Sequence, residues 1–72
     1  MNEERFNTDV RRFLKKVGIT AQGEIEKAVE AAVRSGAIDE AAVLRARVHL
    51  RLEDGGTGPL VETDIDGEIR LG

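Results

Sequence analysis

Between Leu44 and Leu52 every second residue is apolar: Leu44, Ala46, Val48, Leu50 and Leu52, with Arg45, Arg47, His49 and Arg51 between them. The alternation resumes after a glycine-rich break. Val61, Thr63, Ile65, Gly67, Ile69 and Leu71 occupy one set of positions, and Glu62, Asp64, Asp66, Glu68 and Arg70 the other. A period of two predicts strands with one apolar and one polar face, here over about 44–53 and 60–71. The segment Asp54-Gly55-Gly56-Thr57-Gly58-Pro59 between them has the composition of a turn. Pairing Arg51 with Glu62, His49 with Asp64, Arg47 with Asp66 and Arg45 with Glu68 sets opposite charges against each other. The same register sets Val48 against Ile65, Leu44 against Ile69 and Ala46 against Gly67. A slip of one residue would turn the carboxylates to the apolar side, so the pattern specifies its own register.

The first half of the chain has a helical period. Phe6, Val10, Phe13, Leu14 and Val17 form one stripe, and Ile25, Ala28, Val29, Ala32 and Val33 another. Asn2 is suited to cap the first stripe, with Glu3 and Glu4 at the positive end of the helix dipole and Lys15 and Lys16 near its negative end. Gly18 reads as a left-handed terminator, Thr20 as a second cap and Gly36 as a second terminator. The expectation is therefore two helices, about 3–17 and 21–35. Residues 37–43 read as a loop or a single turn opened by Asp39. The expected architecture is α+β, in the order α-α-β-β: a helical hairpin packed on one face of an antiparallel β-hairpin. Residues 1–72 would form one small domain, with the sheet open to extension by dimerisation, since a two-stranded sheet is rarely stable alone.

Composition narrows the chemistry. With no cysteine, neither disulfides nor thiolate metal sites can form, and the single histidine excludes a multi-histidine site within one chain. The two aromatic residues are Phe6 and Phe13, so any core is aliphatic. No apolar run approaches membrane-spanning length, and Met1-Asn2-Glu3-Glu4-Arg5 carries acids where a signal peptide would be cationic and apolar. A cytoplasmic protein with no membrane partner is expected. The net charge of −3 argues against nucleic acid as the main partner. Charge is unevenly distributed, however: residues 1–20 are net basic and residues 21–40 net acidic.

Each candidate site in the sequence competes with a simpler structural reading. Phe13 to Thr20 followed by a helix has the outline of a helix-turn-helix, but Leu14 and Glu24 stand where a small and a buried apolar residue belong. Glu24, Glu26 and Glu30 would also face phosphates. Glu62 to Ile69 has the acid spacing of a calcium loop, yet the same acids fit the solvated face of a strand. Gly55-Gly56-Thr57-Gly58 lacks the lysine and helix of a phosphate cradle. His49 beside Asp64 could form an acid–base pair, but no serine or cysteine nucleophile is in register with it. No catalytic, cofactor or metal residue is assigned, and the chain is expected not to be an enzyme. The basic face of the first helix, Arg5, Arg11, Arg12, Lys15 and Lys16, is the candidate partner-docking surface. It would serve a small interaction or accessory protein that self-associates or binds another protein. The alternative is a nucleic-acid-binding module using the same face.

The run Met1-Asn2-Glu3-Glu4, Phe6-Asn7, Arg12 to Thr20, Gln22 and Glu24 to Val29 resembles a family of short bacterial proteins classed as a domain of unknown function. The ending Gly67-Glu68-Ile69-Arg70-Leu71 is similar to theirs as well. The resemblance spans nearly the whole chain and implies no activity. Gly23 and the length of the hairpin loop depart from the family pattern.

Overall fold

The computed structural model describes residues 1–72 and contains one helix, α1 (Glu3–Arg34), and two strands, β1 (Val43–Glu53) and β2 (Pro59–Arg70). The chain divides into two units, Met1–Ile38 and Asp39–Gly72.

The first unit corrects the expected helical hairpin. The two helices expected at about 3–17 and 21–35 are one, running 32 residues without a break. Gly18 is not left-handed; the positive-φ glycines are Gly36, Gly55 and Gly58. The physical reason is a balance of costs. Ending a helix at Gly18 and starting another at Ala21 would orphan up to four carbonyls and four N–H groups. Carrying the helix through Gly18 and Gly23 costs about 1 kcal/mol at each relative to alanine. Lys15, Lys16, Ala21, Gln22 and Glu24 flank those glycines and favour helix. One signal of continuity is present in the sequence: Val17 and Ala21 are four residues apart, so the stripe keeps its face across the glycine.

Both ends of α1 form as their residues dictate. Asn2 is extended, and its side-chain oxygen accepts from the Arg5 N–H at 3.0 Å. At the other end Gly36 takes φ +79°. The Ala37 N–H donates to the Ala32 carbonyl at 2.9 Å and the Gly36 N–H to the Val33 carbonyl at 3.1 Å. These two bonds close the helix with a left-handed glycine, as expected at this position.

The second unit begins with a single turn. Asp39 Oδ1 accepts from the Ala41 N–H at 2.9 Å, and its carbonyl accepts from the Ala42 N–H at 3.1 Å. The antiparallel hairpin that follows has the expected register: Arg45 opposite Glu68, Arg47 opposite Asp66, His49 opposite Asp64 and Arg51 opposite Glu62. Leu44 faces Ile69, Ala46 faces Gly67 and Val48 faces Ile65. The ladder slips once, between Leu52 and Glu53: Leu52 pairs with Val61 and Glu53 with Pro59, leaving Leu60 as the extra residue of a bulge. Pro59, which has no N–H to donate, is the first residue of its strand.

No residue in either unit is buried. A lone helix and a two-stranded ribbon are single layers, and a single layer has no interior.

Candidate functional site

The polar face of the hairpin is a ladder of ion pairs. Arg47 Nε donates to Asp66 Oδ1 at 2.8 Å, directly across the strands. Arg51 departs from simple cross-strand pairing. Its Nε donates to Glu53 on its own strand at 3.0 Å, and a terminal nitrogen lies 3.9 Å from Glu62. Arg70 lies 3.6 Å from Glu68, again along one strand. These pairs are solvated, and each contributes under about 1 kcal/mol.

His49 is the most constrained group on this face. Its Nδ1 is 2.7 Å from Asp64 Oδ1 and its Nε2 is 2.9 Å from Glu62 Oε2. Ionised carboxylates only accept, so satisfying both contacts requires a proton on each ring nitrogen, that is, the imidazolium. The hydrogen bond to Asp64, then that to Glu62, raises the pKa of His49 above its ordinary 6.5. The Asp64 contact was legible from register; the Glu62 contact is diagonal, and an aromatic ring of this reach makes it. At the hairpin tip, Asp54 Oδ1 accepts from the N–H groups of Gly56 and Thr57 at 2.9 and 3.0 Å, and the Thr57 hydroxyl adds to the set. These donors hold the Asp54 carboxyl below its ordinary 3.8. The glycine loop is thus a self-capped turn.

The opposite face of the hairpin is apolar and accessible, with Ile65 58% exposed. Depressions in the surface are shallow and open, one at Asn2, Arg5, Thr8 and Asp9 and another at Arg45, Asp66 and Gly67. No group of three or more histidine or acidic side chains converges on a point that could hold a metal ion.

The five cations singled out in the sequence lie on the first half of α1. Arg5, Arg12 and Lys16 share one line along the helix, with Arg11 and Lys15 on the adjoining line. Arg12 pairs with Asp9 at 3.9 Å. Since α1 does not turn at Gly18, there is no helix-turn-helix. Alongside these cations runs an apolar stripe from Phe6 to Ala32, continuous because the helix is continuous. Phe13 on it is 53% exposed.

Helix, turn and charged ribbon all lie within one family match. The chain belongs to DUF6494, a family of unknown function. The match covers residues 1–72, which bears out the resemblance seen in the run from Asn2 to Val29 and in the ending Gly67 to Leu71. Comparison of this DUF6494 chain with curated proteins found no match, and comparison with solved structures found none either. The family description assigns no activity. No helix is long and apolar enough to cross a membrane.

Proposed function

We propose that this DUF6494 chain is a non-enzymatic interaction protein that works by self-association, in the cytoplasm. One observation carries the reading: each of its two units presents an apolar face, and no residue of either is buried. Apolar surface of this kind is stabilised when a partner surface removes it from water, by about 25 cal/mol per Å². The polar groups favour the same reading. The carboxylates and His49 lie flat on an exposed ribbon and are satisfied by one another, whereas a catalytic constellation needs a pocket and an unspent group. A composition without cysteine suits a reducing compartment. Light scattering on material eluting from a sizing column tests the reading. A mass above 7.9 kDa that rises with loading is expected, and a strict monomer at about 500 µM would remove it.

A second reading rests on the five cations in the first half of α1, Arg5, Arg11, Arg12, Lys15 and Lys16, of which only Arg12 is ion-paired. A basic helical face can neutralise phosphates, and such binding is strongest at low salt. A gel-shift assay separates the two readings: retardation of DNA or RNA that falls as salt rises supports this one. No retardation at low salt ends it.

A further inference from the structure

The stripe along α1 has a property that a stripe need not have. Its central line is Phe6, Val10, Phe13, Val17, Ala21, Ile25, Ala28 and Ala32, with Leu14 and Val29 at its border. The successive steps of that line are four, three, four, four, four, three and four residues, the same read from either end. Its midpoint is position 19. An antiparallel copy of the same helix, rotated about that midpoint, therefore meets the stripe with itself in register.

We infer that α1 is the interface of an antiparallel homodimer, with a second copy of this chain as its partner. The inference rests on the self-association proposed above and gives it an orientation and a register. In that register Phe6 lies opposite Ala32, Val10 opposite Ala28 and Phe13 opposite Ile25. Val17 lies opposite Ala21 at the centre. A larger side chain then meets alanine at Phe6, Val10 and Val17, and Phe13 meets Ile25. Parallel pairing would set phenylalanine against phenylalanine at one end and alanine against alanine at the other, overpacked in one place and void in the other.

Charge selects the same orientation. The first half of the helix carries Arg5, Arg11, Arg12, Lys15 and Lys16 against Glu3, Glu4 and Asp9. The second half carries Glu24, Glu26 and Glu30 against Lys27 and Arg34. Antiparallel pairing lays the basic half on the acidic half twice over, as a two-fold interface requires. Parallel pairing repeats like charge along the seam.

The area is sufficient. A 32-residue helix is about 48 Å long, and a contact stripe about 10 Å wide covers about 500 Å² per copy. The pair then buries about 1,000 Å², the lower bound for a specific interface, so the dimer is expected to be concentration-dependent. The stripe also repeats every eleven residues, Phe6 to Val17 to Ala28 and Val10 to Ala21 to Ala32. A period longer than 3.6 residues gives a nearly straight or slightly right-handed pair rather than a left-handed coiled coil.

Sedimentation from about 10 to about 500 µM measures the association, with Phe13→Ala expected to weaken it about ten-fold or more. Orientation is read by cross-linking, which the absence of native cysteine makes unambiguous. An equal mixture of the Phe6→Cys and Ala32→Cys chains, oxidised, should give the mixed disulfide. The Phe6→Cys chain alone should give none, because its two thiols would lie about 39 Å apart. A monomer throughout the range overturns both the self-association and the helix interface. A dimer in which Phe6→Cys cross-links to itself, or one indifferent to Phe13→Ala, overturns the antiparallel helix interface and leaves self-association standing.

Discussion

His49 holds two carboxylates at once, and its protonation can be followed directly. An NMR titration is expected to place its pKa above 6.5. Asp64→Asn should lower it most, since the hydrogen bond to Asp64 is the largest cause, and Glu62→Gln should lower it less. The stability that follows has a definite sign. A raised folded-state pKa means the contribution is fully present below the unfolded value and is lost as pH rises through the folded value. The hairpin should therefore be firmer in mildly acidic solution and loosen as His49 deprotonates, read from amide exchange in β1 and β2. Asp54 acts in the opposite sense. Its depressed pKa gives a contribution present above 3.8 and lost as pH falls through the folded value. Asp54→Ala should fray the turn at neutral pH, seen as loss of protection at the Gly56 and Thr57 amides.

For the elements, the helix offers the sharper expectations. At Gly23 a built Cβ meets no atom within 4 Å and the backbone is helical. Gly23→Ala should raise helix stability by about 1 kcal/mol, measured by circular dichroism during thermal melting. Asn2→Ala removes the acceptor of the Arg5 N–H and should cost about 1 kcal/mol. Gly18→Pro tests continuity itself: it removes a backbone bond in mid-helix and should lose about 3 kcal/mol and much of the helical signal. Two independent helices joined at Gly18 would tolerate it. The hairpin owes its definition to the agreement of its two faces. Opposite charges align only in the register that also aligns Val48 with Ile65 and Leu44 with Ile69.

Across the whole molecule, a chain with no buried residue has its stability tied to what covers it. Its melting temperature should rise with protein concentration, because association with the folded form pulls the equilibrium by mass action. A melting temperature unchanged over a hundred-fold range of concentration would contradict self-association. Substitutions on the polar ladder, such as Arg47→Ala, should leave that dependence intact while costing under about 1 kcal/mol.

Much of this was legible in the sequence by itself. The strand period, the register from Arg45–Glu68 to Arg51–Glu62, the Asn2 cap and the terminating role of Gly36 are all local or two-body properties. Each is decided by residue type and spacing, and each is present in the structure. Three things needed the coordinates. Gly18 is a helix terminator by residue type and a helix interior in fact, because continuing satisfies backbone groups that two new ends would orphan. The partners of Arg51 and His49 depend on side-chain reach along and diagonally across the strands, which register alone does not set. The symmetry of the apolar stripe existed in the sequence throughout, but it acquires meaning only when Phe6 and Ala32 belong to the same unbroken helix.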